Sequence, residues 1–120
     1  MTKQQSRDRI ELVYGSVDML ILRTLLWGPT HGHGIATSIE RTSEETLKAE
    51  HGSLSPALQR LQQEGWIAAD RGVSKNKQRA RYHRRTARGR RQLVVENSRW
   101  QRFARAITGV LRQTESEDRP

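Results

Sequence analysis

The stretch GSLSPALQRLQQEGWIAADRGVSKNKQRARYHRRTARGRR, residues 52–91, carries a helix, a hairpin and the excess charge of the whole chain. Leu54, Ala57, Leu58 and Leu61 recur at the three- and four-residue steps that place side chains on one helix face, which predicts a helix over 52–64 ending at Gly65. Ser55, Pro56, Gln59, Arg60 and Gln63 fall on the opposite face. Pro56 must sit within the first turns, where a missing N–H does least harm. Residues 66–69, Trp-Ile-Ala-Ala, then read as a strand, 73–78 as a polar turn, and 79–84 around Tyr82 as the returning strand.

The charge of the chain concentrates on this hairpin and its downstream flank. Residues 71–91 hold ten Lys and Arg and no Asp or Glu, whereas the other 99 residues hold 12 basic and 13 acidic side chains. The formal net charge of +9 is therefore the property of one segment. Clustered positive charge attracts phosphate and gains affinity by releasing counterions, so the segment predicts a polyanionic partner.

Upstream, Val17, Leu20, Ile21, Thr24 and Leu25 make one apolar helix face, with Ser16 as N-cap and Gly28-Pro29 as the stop. A second helix is predicted over 31–41, capped by Thr30, with Ile35, Ala36 and Ile39 inward. A short strand is expected within 47–50. Residues 1–10 read as a polar, frayed or helical arm. Downstream, Thr86 caps a last helix over 87–112, with Leu93, Trp100 and Ile107 at steps of seven and Phe103 and Val110 alongside. A seven-residue repeat is a packing seam, and this one is expected to pack on a second copy of the chain. The fold class is mainly α with a two-stranded β wing: a winged helix-turn-helix plus a long C-terminal dimerisation helix. Residues 10–86 form the expected DNA-binding domain, 87–112 the dimerisation helix, and 1–9 and 113–120 flexible ends. With 120 residues and only 33% hydrophobic side chains, the core is thin, and sharing it between two chains is the natural remedy.

The chain resembles PadR-like transcriptional regulators of the smaller subfamily with one C-terminal helix. The resemblance rests on residues 15–22 (GSVDMLIL), 31–36 (HGHGIA), 50–61 (EHGSLSPALQRL), 64–67 (EGWI) and 81–89 (RYHRRTARG). It covers about residues 10–112. Its most specific part is the Gly-Ser-Leu-x-Pro-Ala-Leu string at 52–58. The family usually has Tyr where this chain has His33 and Ser55. The resemblance implies a homodimeric DNA-binding regulator, a repressor on an inverted-repeat operator. It also implies a site for a planar aromatic effector between the two copies of Trp100, lined by Met19.

The DNA-binding residues read from this pattern are Ser53, Ser55, Pro56, Gln59 and Arg60 on the recognition helix. Arg pairs with guanine and Gln with adenine in the major groove. Lys75, Asn76, Lys77, Arg79 and Arg81 on the wing suit phosphate or a minor groove. His31 and His33 are expected to flank a helix whose N-terminal amides meet phosphate, rather than to bind a metal. Leu93, Trp100, Phe103, Ile107 and Leu111 are the expected dimer contacts. There is no Cys, so disulfides, thiol nucleophiles and Cys-ligated zinc are excluded. Neither a Gly-rich phosphate loop nor a Gly-x-Ser-x-Gly is present, and no cofactor is expected. The longest apolar run stops at Arg23, no signal peptide is readable at the charged N-terminus, and a cytoplasmic location is expected. A small basic RNA-binding protein is the alternative, and a plain interaction module or drug-sequestering dimer is a third reading.

Overall fold

Short apolar helices need partners, and here three of them bury their stripes against one another. A computed structural model describes residues 10–11, 16–73 and 79–118 of the chain. Strand β1 is Ile10–Glu11 and helix α1 is Ser16–Thr24, continued by a 3-10 turn over Leu25–Trp27. Strand β2 (Thr30–His31) leads directly into helix α2 (Gly32–Thr42). Strand β3 (Leu47–Lys48) precedes helix α3 (His51–Gln63). The wing is β4 (Ile67–Val73) and β5 (Arg79–Arg85), and α4 (Ala87–Asp118) closes the chain.

Ile21 and Leu22 of α1, Ile35 of α2, Leu54 and Leu61 of α3 and Ile67 of β4 are fully buried together. The apolar stripe of α3 is the one its periodicity predicts, because Leu54, Ala57, Leu58 and Leu61 are all buried. Helix α1 differs. Leu22 is completely covered while Leu20 and Thr24 are only half-buried. Neighbours on several sides, α2, α3 and α4, widen its buried face beyond a single stripe.

Strands β4 and β5 pair antiparallel from Ile67 opposite Arg85 to Val73 opposite Arg79. The expected two-stranded wing gains a third strand, as Thr30 and His31 pair with His83 and Tyr82. Two residues carry no strand signal of their own; the open edge of β5 supplies their hydrogen-bond partners. Ile10–Glu11 pairs in parallel with Leu47–Lys48, so Ile10 belongs to a strand, not to a frayed or helical arm. The cap of α2 is His31, not Thr30: the Gly34 amide donates to His31 Nδ1 at 3.0 Å, while the Thr30 hydroxyl donates to the Gly28 carbonyl.

Thr86 caps α4 as its sequence predicts, accepting from the Gly89 amide at 3.1 Å and donating its own hydroxyl to the Gly65 carbonyl at 2.7 Å. The helix runs 32 residues, about 48 Å at 1.5 Å per residue. It continues through 113–118, where the sequence reads as a loose end, since no Gly or Pro interrupts it there. Leu93 is partly buried against the core of its own chain. Beyond it, Trp100, Phe103, Ile107, Val110 and Leu111 are 44–64% exposed. Among the described residues, no helix is long and apolar enough to cross a membrane.

Candidate nucleic-acid interface

Helix α3 presents its outward face beside the returning strand of the wing. Ser53, Ser55, Pro56 and Gln59 are exposed there, as the helical period requires once the leucines are inward. Gln59, Gln62 and Gln63 from α3 and Arg81 from β5 line one shallow cleft of about 350 Å³. Gln59 and Arg81 are thus brought together. Gln62 is the cleft residue that the sequence pattern alone did not single out. Its signal was available, because Ser55, Gln59 and Gln62 stand at i, i+4 and i+7 on one face.

Arg60 does not join this face. It lies on the flank toward α1, where its guanidinium donates to the Asp18 carboxylate in a half-buried ion pair. The pair holds the guanidinium toward α1, with about a third of the side chain still exposed. The pair gives Arg60 a structural role as a brace between α1 and α3. Arg60→Ala is therefore expected to cost about 1–2 kcal/mol of folding stability, toward the lower end for a charged hydrogen bond because the pair is partly solvated. The loss should be read as a lower denaturation midpoint. An unchanged midpoint would defeat the brace assignment.

The wing is strongly cationic. Arg71 and Arg81 stand directly opposite each other across β4 and β5, and both are exposed. Like charges directly opposed in a ladder are destabilising. Among the described residues neither has a carboxylate partner, whereas Arg84 reaches Asp70 at 3.1 Å. Lys75, Asn76 and Lys77 lie outside the described residues. Arg79 is placed only by its backbone in β5. At the base of the wing, Arg85 leans toward the Leu22 carbonyl at 3.5 Å. Burial first, then the neighbouring Arg90 and Arg23, push its pKa down from the usual guanidinium value.

The two histidines of the His31-x-His33 pair have different roles. His31 is half-buried, caps α2, and meets the Tyr82 ring edge-on at 5.6 Å. Its cap occupies the Gly34 amide, so that N–H is not offered to a phosphate. His33 is exposed and stacks on His31 at 6.4 Å. The titratable group with most consequence is His83, which is buried with its Nδ1 unpartnered among the described residues. Burial, and then Arg81, lower its pKa below the ordinary 6.5. The unfolded chain therefore takes up a proton near pH 6.5 that the folded chain resists. Stability is full above that pH and falls as pH drops toward the lowered value. A thermal midpoint that declines as pH falls below about 6.5 in the wild type, with a flatter profile in His83→Phe, is the expected result. Parallel profiles would remove His83 as the cause.

Of the effector and dimer residues, Met19 is half-buried on α1, and Trp100 is exposed on α4 beside Phe103, their rings 5.9 Å apart.

The family model for the transcriptional regulator PadR-like family matches residues 21–95. No curated protein sequence matches this chain. Among solved structures, a transcriptional regulator from Clostridium thermocellum is 27% identical with a TM-score of 0.72, over 79% of this chain and 92% of that one. A PadR family transcriptional regulator from Eggerthella lenta is 25% identical with a TM-score of 0.68, over 81% and 82%. A PadR-like transcriptional regulator from Bacillus cereus, 22% identical with a TM-score of 0.66 over 81% and 92%, is alike in fold. With the winged helix, the long terminal helix and a family match across more than half its length, this chain belongs to the PadR-like family of transcriptional regulators.

Proposed function

We propose that the protein is a homodimeric repressor that binds an inverted-repeat operator in double-stranded DNA. The observation that carries the reading is the juxtaposition of an exposed, small and polar α3 face with a wing whose opposed Arg71 and Arg81 have no carboxylate partner among the described residues. Residues 10–86 would form the DNA-binding unit. A helix of this kind fits the major groove, while wing cations hold the backbone. Two copies joined along the exposed apolar side of α4 would present two α3 helices to half-sites about 34–36 Å apart, or a multiple of it.

The exposed Trp100–Phe103 pair supports a planar aromatic effector held between the two protomers, with Met19 at its edge. Such a ligand would change operator affinity only through unequal affinity for two dimer arrangements. The function is tested by competition of duplex DNA against structured RNA at fixed salt. Duplex should win, and its affinity should fall steeply with salt, by about 0.9 in log–log slope per phosphate neutralised. Preference for RNA would favour the basic RNA-binding alternative. A slope near zero would favour a plain interaction module.

A further inference from the structure

We infer that the glutamines of α3, not its arginine, select the operator, and that they select adenine. The inference rests on the DNA-binding function proposed above and specifies its chemistry. The only arginine of α3, Arg60, is tied to Asp18 on the flank. The outward face otherwise carries Ser55, Pro56, Gln59, Gln62 and Gln63, all exposed and all uncharged. Gln62 and Gln63 follow Gln59 at three and four residues, so the three amides stand on adjacent turns of one surface. They line a common cleft with Arg81 of the wing.

A carboxamide presents one acceptor oxygen and an NH2 donor side by side. In the major groove adenine offers the matching pair, its N7 acceptor and N6 amino donor, whereas guanine offers two acceptors and suits a guanidinium. A neutral face carrying only carboxamides at reading length therefore favours adenine. Ser55 is too short to reach in their place. Arg81 lines the same cleft and is exposed, and its charge suits a phosphate. Selection and attraction are thereby separated: the glutamines choose the sequence, and the wing supplies the salt-sensitive affinity.

The test uses the full chain and a pool of random duplexes. The wild type should enrich sites with adenine at a fixed place in each half. Replacing those adenines by 7-deazaadenine, which lacks the N7 acceptor, should weaken wild-type binding by roughly 5- to 150-fold for each bidentate pairing that is broken. The Gln59→Ala, Gln62→Ala double variant should bind both duplexes alike, with an unchanged salt slope and an unchanged thermal midpoint, since both side chains are exposed. Arg81→Ala should do the reverse, keeping the adenine preference and lowering the slope by about 0.9. If the wild type enriches a site but ignores 7-deazaadenine, or the glutamine variant keeps the preference, the inference is overturned while the DNA-binding function stands. The same holds if only neutral methylphosphonate linkages, and not the base change, weaken binding, since the cleft then holds backbone. If no duplex is enriched at all, the proposed function fails and the inference with it.

Discussion

The double variant Ile107→Lys, Leu111→Lys is expected to sediment at half the wild-type mass and to lose most of its operator affinity. Both side chains are exposed, at 44% and 62%, on a stripe that also carries Trp100, Phe103 and Val110. The core of the single chain ends at Leu93, so neither position holds the winged domain together. Two lysines would instead place charges where a partner's apolar surface must close, and a buried unpaired ammonium is far costlier than an exposed one. The folded monomer should survive with its thermal transition intact. Without the second copy, the second half-site is no longer bound intramolecularly, which removes a gain of about 10²–10⁴ in affinity. Binding to random duplex should fall much less than binding to the operator. An unchanged sedimenting mass would remove α4 from the dimer interface.

Gly89→Ala is expected to destabilise the fold by about 2–3 kcal/mol, although the same change inside most helices stabilises. Alanine is ordinarily the better helix residue by about 1 kcal/mol. Here a Cβ on residue 89 would stand 2.0 Å from the Trp66 carbonyl oxygen, and the clash is with backbone, not with the end of a flexible side chain. That carbonyl already accepts from the Thr86 amide, and the Gly89 amide itself donates to Thr86 Oγ1, so neither partner can move alone. Overpacking of this kind typically costs about 1–3 kcal/mol, and here the rigid neighbours put it at the upper end or beyond, enough to outweigh the propensity gain. The thermal midpoint should drop by roughly 10–20 °C. Operator affinity should drop as well, because in the proposed dimer the junction between the wing and α4 would set the spacing of the two α3 helices. A variant as stable as the wild type would show that the α4 start is free to shift.

The two kinds of information are separable in particular residues. The α3 stripe of Leu54, Ala57, Leu58 and Leu61, the wing strands and the Thr86 cap were readable from the sequence, because each depends on a local period or a local hydrogen bond. The segregation of positive charge onto residues 71–91 needed only counting. The third strand at Thr30–His31, the burial of His83 and the pairing of Ile10 with Leu47 were not readable, since their hydrogen-bond and packing partners come from distant parts of the chain. The clearest case is Arg60. Its place on a polar helix flank is set by the helical period, but its partner, Asp18, is 42 residues away. Local sequence decides which side chains leave a helix on a given side. Only tertiary packing decides whether a charge on that side meets solvent, a nucleic acid or a carboxylate of its own chain, because that depends on which other element is brought within a few ångströms of it.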